Sequence, residues 1–452
     1  MNPVLLGDEM LQWSDREVAR GAAFSSLVSA AGGRTLVAGP HHPDLIAGIA
    51  ADGLTLLVRG VADGEALADR FPAATVCCGG LAKFTAEFAG GEPFDTVIAL
   101  AGLERLTSAE GVEQPWGQTL DQLLALLRPG GTLLLAVENH FGLHRLTRLP
   151  GAPRDEEWTA AAGGDPTRPR GLDRVRERLG VPARGLVAYP DPLAPTLLLD
   201  DGVLADERVA GAVAALLTQA CEPAGPGLMD PRPVAVGAAR HGAATALAPA
   251  WVYTSGPVPE PQLPAGPTLQ DLLLRAALER DLPALRELLG SWLDGPATGV
   301  PADQIVVGAG GELTALVKVG SAIAGEPGEA LRRFAAYLID GGLPHPWPAP
   351  AGAADLAVTL AAMTGRELVV PEPEDRPPLG YRELLIARDR LTTELSQARA
   401  RHDWYERMLI DRETELKRVQ RINQVLSAAA PGRALLSGAK AVRRAARRVR
   451  RR

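Results

Sequence analysis

PFDTVIALAGLERLTSAEGVEQPWGQTLDQLLALLRPGGTLLLAVEN, residues 93–139, is the stretch of sequence that decides the fold. Its first apolar run, FDTVIAL, has no polar alternation, which is typical of a strand covered on both faces of a parallel sheet. From Thr119 to Leu127, leucine pairs at helical spacing predict an amphipathic helix, which RPGG at 128–131 ends. TLLLAVE predicts the next buried strand. Strand, helix and strand form a βαβ unit, whose crossover is right-handed almost without exception.

Three further strand candidates precede this unit: GRTLVAG (33–39), LTLLVRG (54–60) and ATVCCGG (74–80). Together with the two strands above they give five β-units, so the sequence predicts an α/β fold with a doubly wound, Rossmann-like sheet. A ligand of such a sheet binds at the carboxyl ends of the strands. Residues 1–30 predict an N-terminal helical segment, for which Ser14 or Asp15 is a candidate cap.

Residues 93–153 contain motifs that are more specific than the strand pattern. Asp95 opens one strand, Gly-Leu-Glu at 102–104 ends it, and LLRPGGTLLLAVEN closes the next unit. These motifs resemble the fourth and fifth strands of class I S-adenosylmethionine-dependent methyltransferases. VENHFGLHRLTRLPGAP (137–153) and VAYPDPLAPTLLLDD (187–201) resemble a bacterial branch of that family that is associated with surface-polysaccharide and glycosyl-transfer pathways.

The resemblance implies a class I methyltransferase-like domain at residues 31–205. Its expected cofactor is S-adenosyl-L-methionine, and its expected methyl acceptor is a glycan or glycosylated intermediate of cell-surface polysaccharide biosynthesis. Residues 154–170 are polar and rich in Gly and Pro, which predicts a loop or lid over the carboxyl edge of the sheet.

Three positions at which the family holds its cofactor are altered in this chain. Where the family has an acid followed by Gly-x-Gly-x-Gly, VAGPHHP at 37–43 keeps only Gly39. Arg59 stands where an acid normally accepts hydrogen bonds from the ribose, which a guanidinium cannot do, and Asp63 follows four residues later. The third strand ends in Cys-Gly-Gly at 78–80. By resemblance, the candidate cofactor-binding residues are Gly39, Arg59, Asp63, Gly79, Leu103 and Glu104.

Two interpretations of these changes compete. In the first, the cofactor is bound through backbone groups and compensating side chains (Asp44, Asp63 and Glu104), and Glu138 and Asn139 at the end of the fifth strand face the methyl acceptor. Glu138 is then a candidate general base, although hydrogen bonding at the strand's edge is the favoured role. In the second, the domain keeps the architecture without the cofactor, because fold alone does not imply function. The protein is then an inactive scaffold for envelope-glycan enzymes.

Histidine and cysteine spacings do not predict a metal site. His41-His42 and the pair His140 and His144 lack a third ligand at a characteristic spacing. The three cysteines give no disulfide framework, which fits a reducing cytoplasm. The composition is ordinary for a globular protein, with 46% hydrophobic and 22% charged residues. No apolar run approaches 18 residues and no signal-peptide pattern opens the sequence, so we expect neither export nor membrane spanning.

The second half of the sequence predicts further parts. Residues 206–371 predict an accessory α+β module with a hairpin at 303–319, and residues 372–380 predict a linker. Over residues 381–428, nine of thirteen positions in a heptad seam are apolar, which predicts a coiled coil. Its expected partner is a second copy of the chain, giving a homo-oligomer.

The C-terminal residues 431–452 predict a basic amphipathic tail. Residues 433–452 carry nine basic and no acidic side chains, so the rest of the chain has a net charge of −16 against −7 overall. Such a helix suits an anionic membrane surface. Because no aromatic residues interleave the arginines, nucleic acid is the less favoured partner, and a solvated, disordered tail is the remaining alternative. The predicted location is cytoplasmic, peripheral at the inner face of the plasma membrane.

Overall fold

A computed structural model of the chain describes residues 2–50, 53–88, 90–149, 164–223, 225, 227–258, 262–316, 325–343, 345–347, 352–371, 380–428, 438–440 and 442–443. The chain divides into two units, Met1–Tyr381 and Arg382–Arg452. Within the described ranges, no helix is both long enough and apolar enough to cross a bilayer. The predicted linker at 372–380 and basic tail at 431–452 lie almost entirely outside the described residues, as does most of the predicted lid.

A nine-stranded sheet forms the centre of the first unit. Its strands are β1 (Val4–Gly7), β2 (Arg34–Ala38), β3 (Gly53–Val58), β4 (Thr75–Gly79), β5 (Phe94–Ala99), β6 (Leu127–Glu138), β7 (Arg184–Tyr189), β8 (Leu197–Asp200) and β9 (Ala250–Thr254). They lie in the order β1-β4-β3-β2-β5-β6-β9-β7-β8. Pairing is parallel from β1 through β6 and antiparallel from β6 through β8. The run β4-β3-β2-β5-β6 is the predicted doubly wound arrangement, whose order reverses between β2 and β5.

Helices cover both faces of this sheet. They are α1 (Ala22–Val28), α2 (Pro43–Ala47), α3 (Val61–Arg70), α4 (Leu81–Glu87), α5 (Trp116–Ala125), α6 (Leu143–Thr147), α7 (Leu172–Leu179), α8 (Asp201–Ala205), α9 (Ala210–Ala220), α10 (Pro231–Arg240) and α11 (Ala244–Leu247). Successive strand residues point to opposite faces, so Leu36 packs in one core and Val37 in the other. The adjacent cysteines Cys77 and Cys78 are divided in the same way, which explains two buried thiols side by side.

The fifth helix begins earlier than its sequence pattern predicts. α5 starts at Trp116, because the Asp165 carboxylate accepts a hydrogen bond from the Trp116 amide at 2.6 Å and the Thr167 hydroxyl oxygen accepts one from the Gly117 amide at 2.9 Å. These contacts satisfy amides that a helix leaves unpaired at its N-terminus. Because both partners lie about 50 residues away, the leucine spacing alone places the start too late.

Two predicted domain boundaries are wrong. The segment 1–30 is not simply helical: β1 extends the sheet beside β4, and only Ala22–Val28 is helix. The boundary at residue 205 is wrong because β9 lies between β6 and β7, where all five of its residues are buried. Its antiparallel pairing with both neighbours completes the sheet from sequence that follows the predicted domain.

A separate core occupies the later part of the first unit. It contains α12 (Leu269–Glu279), α13 (Leu282–Asp294), α14 (Pro327–Asp340) and α15 (Ala353–Met363), with the strands β10 (Ile305–Val307) and β11 (Leu313–Ala315). β10 and β11 pair antiparallel, as the predicted hairpin requires, although residues 317–319 lie outside the described ranges. The indole of Trp292 is fully buried and donates a hydrogen bond to the Val300 carbonyl at 3.0 Å.

The second unit consists mainly of one long helix, α16 (Tyr381–Ala428), which runs without a break for 48 residues. At 1.5 Å per residue its length is roughly 70 Å. Its described apolar side chains are mostly exposed, for example Leu391 at 64% and Leu409 at 66%. The helix is present where the coiled coil was predicted, and the coiled coil itself stays a prediction.

Candidate functional site

A cavity of about 800 Å³ lies at the carboxyl edge of the sheet, which we call the edge cavity. Residues after β3, β5, β6 and β7 line it, together with the N-terminal segment 13–20. Its charged lining residues are Asp15, Arg16, Glu17, Arg20, Arg59, Glu104, Arg105, Glu138, Arg145, Arg148 and Asp191. The position agrees with the rule that open α/β sheets bind ligands at the carboxyl ends of their strands.

The imidazole of His41 closes the crevice between the ends of β2 and β5. Its Nε2 accepts a hydrogen bond from the Leu100 amide at 3.1 Å, so its Nδ1 carries the proton and donates to the Gly39 carbonyl at 2.9 Å. The side chain is only 4% exposed, and burial lowers the pKa of His41 to about 4 despite the bond to Gly39. A neutral ring therefore occupies the switch point of the sheet, where doubly wound folds hold a nucleotide-type cofactor.

Gly39 itself has a left-handed backbone, with φ of +93°. A Cβ added there would lie 3.2 Å from the Leu106 side chain and 3.7 Å from Ala101. The glycine is thus needed for the tight turn into Pro40 and His41 and for packing against the loop after β5. Its role in admitting a cofactor stays a prediction.

Arg59 is paired with an acid from the N-terminal segment. Its Nε and Nη2 donate to the two carboxylate oxygens of Asp15 at 3.0 and 2.5 Å, and the two side chains are only 5% and 2% exposed. The guanidinium also lies 5.4 Å from the Trp13 ring centroid, within cation–π range. Arg59 is therefore at the predicted strand end, but its donors bind Asp15, a partner that sequence reasoning did not find.

Asp63 secures the same N-terminal segment. Its carboxylate accepts hydrogen bonds from the Ser14 hydroxyl at 2.5 Å and from the Asp15 amide at 2.8 Å. Burial raises the pKa of Asp63, and these two hydrogen bonds offset only part of that effect. The carboxylate that was predicted to reach the ribose instead caps the turn at residues 14–15.

Two of the predicted cofactor residues serve the core. Gly79 has φ of +150°, and a Cβ there would come within 2.6 Å of the Gly7 carbonyl oxygen, so this glycine is required by the approach of β1. Leu103 is buried in the core that contains Leu36 and faces away from the edge cavity. Both residues thus have structural roles, and their cofactor contacts stay predictions.

Glu138 lies in the edge cavity as predicted, but its carboxylate is bound by two neighbouring side chains. One carboxylate oxygen accepts hydrogen bonds from His144 Nε2 at 3.0 Å and from Arg145 Nε at 2.8 Å. Burial acts to raise the pKa of Glu138, and the bonds and charges of these two partners outweigh it, lowering the pKa to about 2. A carboxylate with such a pKa is a poor proton acceptor, so the predicted role of general base does not fit.

Asn139 has a structural role. Its side-chain amide donates to the carbonyls of Ala246 and Ala248 at 2.7 and 2.9 Å, and its side-chain oxygen accepts from the Phe141 amide at 3.0 Å. The residue is buried and joins the turn after β6 to the segment before β9. Its catalytic role stays a prediction, and its side-chain amide and oxygen already have partners within the chain.

Arg168, which the sequence did not single out, contacts three residues that line the edge cavity. It donates to the Glu138 carbonyl at 2.6 Å, contacts the His140 ring and forms an ion pair with Glu104 at 3.0 Å. Elsewhere in the lining, the Asp191 carboxylate accepts hydrogen bonds from the Leu193 and Ala194 amides and pairs with Arg148 at 2.6 Å. The cavity is therefore lined by ion pairs, and Glu104 is engaged by a guanidinium.

No protein-family model and no curated protein matched this chain. Among solved structures, the N-methyltransferase NodS from Bradyrhizobium japonicum WM9, crystallised with S-adenosyl-L-homocysteine, shares 18% identity at a TM-score of 0.19 and covers 25% of this chain. The chain spans 57% of the length of NodS. The DhpI–SAH complex shares 15% identity, covers 38% of this chain and 80% of DhpI, and has a TM-score of 0.24.

The glycopeptide N-methyltransferase MtfA, also complexed with S-adenosyl-L-homocysteine, shares 16% identity at a TM-score of 0.23, covering 55% of this chain and 93% of MtfA. At these values, the description of the fold rests on the strand order of this chain. The residues predicted to hold the cofactor make internal contacts, so binding of S-adenosyl-L-methionine between β2 and β5 in the manner expected of the family would require some of these contacts to break.

Proposed function

We propose that this chain is a catalytically inactive scaffold built on a methyltransferase-like sheet. The observation that carries the proposal is the His41 imidazole between β2 and β5, bonded to both the Gly39 carbonyl and the Leu100 amide. A cofactor that entered this crevice would have to displace the ring and leave two buried backbone groups without partners, which is unfavourable by about 1–3 kcal/mol for each group.

The surrounding charges support the same proposal. Turning Arg59 toward a ligand would break its buried pair with Asp15 and leave that carboxylate only its 3.8 Å contact with Arg105, and separating a buried pair is strongly unfavourable. Glu138, the candidate base, is held ionised by His144 and Arg145. The groups expected to bind a cofactor and to move a proton are therefore used to fix the N-terminal segment and the loop after β6.

The scaffold's partners are proposed from the sequence. The heptad pattern of residues 381–428 supports self-association. The basic residues of 433–452 support attraction to an anionic membrane surface. The resemblance of residues 137–153 and 187–201 to a polysaccharide-linked branch supports a role among envelope-glycan enzymes at the cytoplasmic face of the membrane.

Calorimetric titration of the purified full chain with S-adenosyl-L-methionine and S-adenosyl-L-homocysteine tests the inactive part of this proposal. We expect no binding heat up to millimolar ligand. Micromolar binding of either compound would refute the inactive scaffold.

A second candidate function, methyl transfer from S-adenosyl-L-methionine to a glycan, is favoured by one observation. The edge cavity has the volume of a small-molecule site and lies at the expected end of the sheet. If the cofactor binds there instead of in the crevice, Glu104 would be the nearest retained member of the family's pattern. Glu104→Ala would then weaken the measured binding, whereas Glu87→Ala, on α4 and outside the cavity, would not.

A further inference from the structure

An apolar seam flanked by charged residues runs along α16. The seam follows α16 at alternating spacings of four and three residues and includes Leu391, Leu395, Leu409, Leu416 and Val419, each at least 51% exposed. An uncovered apolar seam of this length on a helix of 48 residues is the pattern of a two-stranded coiled coil. The positions beside the seam decide which helix fits it and in which direction.

We propose that a second copy of this chain packs on this seam in a parallel, in-register coiled coil. In that arrangement a residue on one flank of the seam meets the residue five positions further along on the opposite flank of the partner helix. Arg401 then faces Glu406 of the other copy, and Glu394 faces Arg399. Two-fold symmetry repeats each pair, so four attractive contacts form across the seam.

An antiparallel pairing of the full helices gives a poorer charge match. The same flanking positions would place Glu394 opposite Glu415 and Arg401 opposite Met408. Only Arg399 would retain an acidic partner, Glu406. Like charges across a helix interface are destabilising, and such flanking charges set the orientation of coiled coils.

The polar positions within the seam are compatible with the parallel arrangement. Asn423 would meet its own copy, and a single asparagine at such a position specifies register in two-stranded coiled coils. Arg388 and Arg412 have long apolar stems, which can lie along the seam while their guanidinium groups reach water. His402 completes the polar set and would also meet its own copy.

This inference rests on the self-association part of the proposed function and is independent of cofactor binding. Sedimentation equilibrium of the full chain measures it directly. We expect a dimer whose dissociation constant rises roughly tenfold in Arg401→Glu, because two attractive pairs become repulsive. The double variant Arg401→Glu/Glu406→Arg should restore the wild-type dissociation constant, since it exchanges the two charges.

The matched control is Arg407→Glu, which makes the same charge change on the face opposite the seam and should leave the dissociation constant unchanged. A chain that stays monomeric at every concentration would overturn the proposal. So would an antiparallel result, in which Arg401→Glu has no effect and the double variant weakens the dimer, because its new guanidinium at position 406 lies opposite Arg399. Cofactor titrations would not change with either outcome.

A cross-linking experiment provides an independent measurement. Leu391→Cys should form a disulfide-linked dimer on mild oxidation, because the parallel register brings residue 391 of both copies together. Thr393→Cys, on the outer face of the same turn, should remain monomeric on a non-reducing gel. The native cysteines Cys77, Cys78 and Cys221 are buried, so they contribute little background. Equal cross-linking of the two variants, or none in either, would contradict the parallel register.

Discussion

The crevice between β2 and β5 and the long helix α16 differ in whether their side chains already have partners within the chain. In the crevice, the polar groups of His41, Gly39 and Leu100 bind one another. Along α16, leucines such as Leu391 and Leu409 are exposed. The polar groups in the crevice already have partners within the chain, whereas the helix that follows the sheet has apolar surface left to cover. The scaffold proposal rests on this difference.

The largest effect on stability is expected from removing one member of the buried pair between Arg59 and Asp15. Asp15→Ala leaves Arg59 buried without its carboxylate, and we expect the free energy of unfolding to fall by about 3–5 kcal/mol. Chemical denaturation measures this loss. Glu17→Ala, which removes an acid that is largely exposed and pairs with Arg105, should lower it by less than about 1 kcal/mol. Similar losses in both variants would contradict a special role for the buried pair.

Acidification should lower the free energy of unfolding because it protonates His41. Its pKa is about 4 in the folded chain, against an ordinary value of 6.5 that applies in the unfolded chain, so the folded state binds fewer protons between these values. The stabilisation is complete above pH 6.5 and is lost as pH falls toward 4, by about 2 kcal/mol between pH 6.5 and 5.

The measurement is the free energy of unfolding against pH for wild type and His41→Gln. The variant should be less stable at pH 7 but should lose less stability on acidification. His241→Gln, an exposed histidine, serves as the control and should keep the wild-type pH dependence. Parallel curves for wild type and His41→Gln would show that His41 is not a buried neutral ring.

Glu138→Gln should have a smaller effect. The amide keeps the shape of the side chain but loses its charged bonds to His144 and Arg145, which lowers the free energy of unfolding by about 1 kcal/mol. Thermal unfolding at pH 7 detects this change. A variant as stable as wild type would mean that the ion pairs at this partly exposed site contribute nothing measurable.

The smallest effect is expected on α16. Leu409→Ala should change the unfolding of residues 1–381 by less than about 0.5 kcal/mol, because the side chain is 66% exposed in the single chain. Leu120→Ala, the same change at a fully buried position of α5, should lower it by about 2–5 kcal/mol. Hydrogen exchange of the sheet amides distinguishes the two variants. Equal protection of the sheet amides in both variants would contradict the expected difference between a buried core residue and an exposed residue of α16.

The sequence predicts the centre of the fold because its strands are buried on both faces. FDTVIAL and TLLLAVE contain apolar runs that few other structures can bury, and both are strands of the parallel sheet. The edge strand β1 is missed because Val4 and Leu5 are exposed and four residues give no period. β9 is missed because its place between β6 and β7 depends on pairing with strands far away in sequence.

The site is less predictable than the fold because its partners are remote. The position of Arg59 at a strand end is evident from the pattern, but its partner Asp15 lies 44 residues earlier in the sequence, without a local signal. His41 resembles a solvated loop histidine in sequence and is buried only because the end of β5 supplies an amide for its ring. The sequence shows the departures from the family's glycine and acid pattern, but it does not show the contacts that Arg59 and His41 make instead.

The state of the His41 ring is the most direct test of the account. Nitrogen-15 NMR of the histidine side chains reports which ring nitrogen carries the proton and at what pH the ring titrates. We predict a neutral ring protonated at Nδ1 from pH 8 to pH 5, with resonances that do not change when millimolar S-adenosyl-L-homocysteine is added. A ring that titrates near pH 6.5, or that shifts on addition of the ligand, would show that the crevice is open and would contradict the account.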